Sequence, residues 1–191
     1  MTNTIRAFIA IPLPSKVQRQ LGELTAEMAG VVPAGAVRWV RPESMHLTVR
    51  FLGDTPVSRL AALQEVLDEV TAGFSPFTLR LAGLGCFPNM RRPRVIWAGV
   101  AGALSDLQTF KQAVDKALVP LGWPVEDRPF RAHLTLGRVK NADQLPRTLW
   151  SEEQATALQG EIPVQVVHLM ESELTRQGPI YTIRHVSQLR A

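Results

Sequence analysis

The sequence predicts an α+β protein of two lobes related by a pseudo-twofold axis. Each lobe is expected to be an antiparallel or mixed sheet with helices on its outer side, and a cleft separates the two. Three observations carry this expectation. Residues 41–49, RPESMHLTV, and residues 128–136, RPFRAHLTL, share Arg, Pro, His, Leu and Thr at matching positions, with His46 and His133 87 residues apart. The same offset aligns strand-like and helix-like segments along most of the chain, as a duplicated unit would. The composition, 46% hydrophobic and 20% charged, is enough to close a core, and two such halves must bury complementary faces against each other.

The elements follow in order. IRAFIAI (5–11), bounded by Pro12, reads as a buried strand, and the offset carries it onto RPRVIWA (92–98). Pro14 to Gly30 has Val17, Leu21, Leu24 and Met28 on one helix face, with Pro at its start and Gly at its end. Its counterpart, 101–117, repeats the stripe with Leu104, Leu107, Phe110 and Val114. Pro56 to Ala72 is helical, and 143–159 is expected to match it. Pro76 to Phe87 and 163–174 both open on Pro and read as strands. Pro179 to Leu189 falls outside the repeat as a final strand. No Pro/Gly/Ser-rich linker intervenes, so residues 1–191 are read as one domain with lobes near 1–90 and 91–191, exchange of strands between them being left open.

Composition narrows the setting. The apolar run Ala7–Ile11 is too short for a signal peptide, and no later run reaches membrane-spanning length. The single cysteine, Cys86, cannot form an internal disulfide, which fits a reducing compartment. The expectation is a cytoplasmic monomer with no membrane association. The net charge is +4, and 17 of the 21 cations are arginine. Arginine's planar fork suits phosphate oxygens, although genomic base composition produces the same bias.

Alternation along a strand puts His46 with Thr48 on one face, and Leu47 with Val49 on the other. His133 and Thr135 oppose Leu134 and Leu136 in the same way. Two imidazoles and two hydroxyls facing one cleft suit metal-free displacement at phosphorus. One neutral imidazole takes a proton from water and one imidazolium protonates the departing alkoxide, while hydroxyls donate to the non-bridging oxygens. Zinc chemistry is disfavoured by the lack of HExxH or CxxC, and nucleotide cofactors by the lack of GxxxxGK[ST] or GxGxxG. No cofactor or metal is expected.

The doubled HxTx motif, His46-Leu47-Thr48-Val49 and His133-Leu134-Thr135-Leu136, resembles the 2H phosphoesterase superfamily. The segments IRAFIAIPLP, WVRPESMHLTVRFLGD, GLGCFPNMRRPRVIWAGV, RPFRAHLTLGRVK and ESELTRQGPIYTI make the chain similar to the RNA 2′,3′-cyclic phosphodiesterases, the LigT-like 2′–5′ RNA ligase family. The resemblance implies hydrolysis of RNA 2′,3′-cyclic phosphate ends, such as those of tRNA halves or fragments, to 2′-phosphomonoesters, with ATP-independent 2′–5′ joining in the reverse sense. It implies His46 as proton donor, His133 as proton acceptor, Thr48 and Thr135 as phosphate ligands, and Arg138 as their helper. Alternatives are small cyclic nucleotides or 2′–5′ oligonucleotides as substrates, and a non-catalytic RNA-binding module.

Arg138 has the wrong strand parity unless the strand bulges at Gly137, a residue that permits such a break. Arg131 and Arg50 are therefore kept as substitutes, in that order. Phe51 and Phe130, beside the motifs, are expected to line the site, whereas Trp39 and Trp97 are expected in the core. Tyr181 is a weaker cleft candidate. His168 and His185 lack a partner at the offset and read as ordinary strand residues. Arg91, Arg92 and Arg94 suit either an RNA backbone contact or a solvated loop.

Overall fold

The computed structural model describes residues 3–146, 149, 158–175 and 178–190. Its strands are β1 (Thr4–Pro12), β2 (Val37–Trp39), β3 (His46–Pro56), β4 (Phe77–Phe87), β5 (Val95–Gly102), β6 (His133–Val139), β7 (Glu161–Val164), β8 (Val166–Thr175) and β9 (Gly178–Gln188). Among the described residues there are three α-helices, α1 (Ser15–Val31), α2 (Leu60–Ala72) and α3 (Leu104–Leu118), together with short 3₁₀ turns. The expected helix over 143–159 lies mostly outside the described residues. Among those, no helix is long and apolar enough to cross a membrane.

Expectation and structure differ in four places, each for a local reason. The strand anticipated at 92–98 begins at Val95, because Asn89 Oδ1 accepts from the Arg91 and Arg92 amides and holds that stretch as a turn. The segment 163–174 divides into β7 and β8. The short β2 was not anticipated, since three residues carry no periodicity. Leu104 is 43% exposed, and the stripe it was expected to join runs instead through Leu107, Phe110, Val114 and Leu118, all buried.

The paired strands form one antiparallel sheet in the order β7-β4-β5-β6-β3-β1-β8-β9, with β2 added against β6. Of the two sheet types expected, antiparallel or mixed, the antiparallel one is found among the described strands. With the offset of 87, β1 matches β5, β3 matches β6 and β4 matches β8. The stretch β4-β5-β6-β3-β1-β8 is then a palindrome, and the two motif strands are neighbours at its centre. The last matched strand of each half pairs with the first strand of the other, β4 on β5 and β8 on β1.

One sheet face is closed by the helices. Leu47, Val49, Leu134 and Leu136 share a single buried cluster with Val17, Leu21 and Met28 of α1, Leu63 and Leu67 of α2, and Leu107, Phe110 and Val114 of α3. The partly buried His46, Thr48, His133 and Thr135 alternate with those aliphatics and therefore face the other way.

Both motif strands carry a β-bulge at the same point. Thr48 pairs with Ala10 but Arg50 pairs with the next residue, Ile9, so Val49 is the extra residue in β3. Thr135 pairs with Trp97 and Gly137 with Ile96, so Leu136 is extra in β6. Each bulge places two successive residues on the core side, Val49–Arg50 and Leu136–Gly137, and resets the alternation beyond them. Gly137 is also required sterically, since a Cβ there would lie 2.7 Å from Val37 Cγ1 and 3.0 Å from Trp39 Cε3. Gly137→Ala is expected to push β2 off β6 and cost about 1–3 kcal/mol. Chemical denaturation checks this, and an unchanged midpoint contradicts the packing described.

Candidate active site

His46 and His133 each open a motif strand and are held by the same device. His46 Nδ1 lies 2.9 Å from the Ser44 carbonyl, and His133 Nδ1 lies 2.6 Å from the Arg131 carbonyl. A carbonyl only accepts, so Nδ1 carries the proton in both neutral rings and Nε2 is left as the proton-active atom. The single pairing Leu47↔Leu134 joins the two strands antiparallel. Continuing that register one residue each way sets His46 opposite Thr135 and Thr48 opposite His133. Two imidazoles and two hydroxyls thus occupy alternating corners of one patch of sheet.

Aromatic rings pack both imidazoles. Phe8 of β1 stacks on His46 at 4.8 Å between centroids, and Tyr181 of β9 meets the same ring edge-on at 5.2 Å. Phe87, at the end of β4, meets His133 edge-on at 4.9 Å. Enclosure desolvates His46 and lowers its pKa to about 4, against the opposing influence of the Ser44 bond. A cavity of about 390 Å³ opens beside His46, walled by Ala10, Met45, His168, Met170, Tyr181 and Ile183 among others. Burial lowers the His168 pKa as well.

The bulges sort the arginines. Beyond Gly137 the alternation is reset, so Arg138 is exposed on the same side as His133. Its charge is felt by the Tyr181 phenol, whose pKa burial raises and Arg138 pulls back. The equivalent bulge turns Arg50 away from the cleft. Arg50 is 5% exposed, donates through Nη2 to the Pro124 carbonyl at 2.5 Å, and pairs through Nη1 with Glu126 at 3.0 Å and Asp115 at 3.7 Å. Arg50 is therefore removed as a phosphate ligand. The Arg131 side chain is exposed, while its carbonyl holds His133.

Two aromatic expectations are corrected. Phe130 packs against the core under the Lys111 ammonium, 5.8 Å from the ring centre, and not in the cleft. Trp97, expected in the core, pairs directly with Thr135 and so shares its face, with its ring 5.2 Å from Phe87. Trp39 does pack on the core, and Phe51, 62% exposed, lies 6.0 Å from Phe8 on the cleft side. Of the remaining histidines, His185 pairs with Asp68 at 2.9 Å.

A model of LigT-like phosphoesterases matches residues 11–97 and 100–181. The chain belongs to that family. It is 35% identical over 177 residues to the RNA 2′,3′-cyclic phosphodiesterase of Archaeoglobus fulgidus, covering 93% of this chain and 96% of the relative. The enzyme of that name from Methanothermobacter thermautotrophicus is 34% identical over 190 residues, 97% and 99% of the two chains. Among solved structures, a Thermus thermophilus protein superposes with a TM-score of 0.81 at 29% identity, covering 98% and 99%. Escherichia coli LigT complexed with 3′-AMP gives 0.78 at 25%, covering 99% and 100%. This LigT-like phosphoesterase is thus an enzyme with the fold of its relatives.

Phe87, one of the aromatics the sequence offers for a base-stacking surface near the cleft, packs on His133; Phe8 escaped the sequence reading. Phe8 sits in an apolar run indistinguishable from core, and only the sheet pairing shows that it faces the cleft. One consequence is measurable. The folded pKa of His46 lies below the ordinary imidazole value near 6.5, so its neutral form contributes stability in full above that value, and the contribution falls away as pH drops toward about 4. NMR titration of the ring is expected to give a midpoint near that lower value. A midpoint at the ordinary value contradicts the enclosure described.

Proposed function

We propose that this LigT-like phosphoesterase hydrolyses the terminal 2′,3′-cyclic phosphate of RNA to a 2′-phosphomonoester without a metal, using His46 as proton donor and His133 as proton acceptor. The observation that carries the reading is the repeated arrangement in which Nδ1 of each motif histidine is tied to a carbonyl, leaving two Nε2 atoms on one face of adjacent strands. The names of the relatives supply the substrate class.

In the step proposed, a water oxygen attacks phosphorus while His133 Nε2 takes its proton. The P–O3′ bond breaks, and O3′ takes the proton from His46 Nε2, leaving the phosphate on O2′. Thr48 and Thr135 donate to the non-bridging oxygens, and the Arg138 guanidinium balances the charge that grows on them. Proton exchange with solvent resets both rings. With a 5′-hydroxyl in place of water, the same step joins two RNA ends through a 2′–5′ bond and consumes no ATP.

In-line attack puts water and O3′ on opposite sides of phosphorus, so the ribose and its base lie on the donor's side. The cavity beside His46 supports that direction. Burial by itself holds this ring neutral, the wrong state for a donor, and the negative charge of the phosphodiester favours the imidazolium. Substrate binding therefore carries proton uptake.

Two measurements test this. In EDTA, the protein is expected to open a nucleoside 2′,3′-cyclic phosphate to the 2′-phosphate, with His46→Ala and His133→Ala each losing about 10²–10⁴ in rate. Full activity in either variant, or loss of activity to the chelator, contradicts the mechanism. Titrating a nucleoside 2′-phosphate calorimetrically in buffers of different ionisation enthalpy is expected to show proton uptake near neutral pH that His46→Ala abolishes. Absence of uptake assigns the donor role elsewhere.

A further inference from the structure

We propose that a charged cluster, the buried Arg50, Lys111 and Asp115 together with the more exposed Glu126, is a positioning device for His133, fixing the segment whose Arg131 carbonyl holds the imidazole. The proposal rests on the reading of His133 as a proton-transfer group. Arg50, Lys111 and Asp115 are 5%, 2% and 6% exposed. Lys111 Nζ reaches both Asp115 carboxylate oxygens at 2.6 Å and Glu126 Oε2 at 2.8 Å. Arg50 reaches Glu126 and the Pro124 carbonyl, and Lys111 lies over the Phe130 ring. Residues 124, 126 and 130 are thereby anchored just ahead of Arg131.

The duplication shows what the cluster replaces. At the offset of 87, Pro124 and Glu126 correspond to Val37 and Trp39, and Arg50 corresponds to Gly137. Val37 and Trp39 pack on Gly137, across the halves, much as Pro124 and Glu126 meet Arg50. The first segment is the strand β2, paired with β6 by backbone hydrogen bonds, and it leads through a 3₁₀ turn at Pro42–Ser44 to His46. The second segment forms no strand or helix, and side-chain charges take over the work of strand pairing. The counterparts of Lys111 and Asp115 are Leu24 and Met28, ordinary core residues. The fold therefore accepts apolar side chains at these positions. Buried ion pairs give little net stability relative to such residues, which leaves geometry as the reason for these charges.

The test uses the variant Arg50→Met/Lys111→Leu/Asp115→Met, in which the changes at 111 and 115 follow the first half's Leu24 and Met28 and the change at 50 removes the charge while keeping an apolar stem, together with the milder Glu126→Gln in case the triple variant fails to fold. In folded protein, kcat on a nucleoside 2′,3′-cyclic phosphate is expected to fall about ten- to a hundredfold, with KM changed much less. Nitrogen NMR of the two active-site rings is expected to show His133 losing its single Nδ1–H tautomer, while His46, held by the 3₁₀ turn, keeps its own. An unchanged His133 ring with unchanged kcat overturns the proposal, and so does equal disturbance of both rings. If the unaltered protein turns over no cyclic phosphate, the proposed function fails and the ring measurement alone decides the positioning claim.

Discussion

The site depends on one interaction made twice, an imidazole Nδ1–H donated to the carbonyl two residues earlier in the chain. That bond fixes the tautomer, aims Nε2 off the sheet and ties ring orientation to backbone geometry. Because the bonded carbonyl belongs to the segment entering the strand, the conformation of that segment becomes part of the chemistry. A strand beginning at His46 or His133 is therefore only half of each site; the approach to it is the other half.

The paired bulges explain how one sheet serves as both the core's wall and the floor of the candidate site. Strict alternation would send residues 50 and 137 to the cleft, and residues 51 and 138 to the core. One extra residue in each strand reverses this, bringing Arg138 and Phe51 onto the cleft side and taking Arg50 inside. After duplication the two bulge residues took different courses. Glycine in one half lets Val37 and Trp39 close over it, while arginine in the other acquires a buried set of counter-charges.

Much of this was legible in the sequence. The offset, the helix stripes of Val17–Met28 and Leu107–Val114, and the alternation of the two His-Leu-Thr motifs follow from composition and periodicity. The bulge was legible only at Gly137, where glycine marks a break, and not at Val49–Arg50, which reads as plain strand. Two of the cleft aromatics were hidden for another reason. Phe8 and Trp97 lie on strands far apart in sequence, and which face each one shows depends on a pairing register that no local pattern encodes. Phe130 was misread because proximity to a motif in sequence does not set the direction of a side chain in an irregular segment.

The central claim is that both imidazoles act on one phosphorus atom. A crystal structure with a nucleoside vanadate, whose five-coordinate metal stands in for phosphorus at the transition state, tests it most directly. The account predicts Nε2 of His46 and of His133 each within hydrogen-bond reach, about 2.6–3.2 Å, of opposite apical oxygens of a single vanadate. A vanadate held by one ring while the other points elsewhere would contradict it.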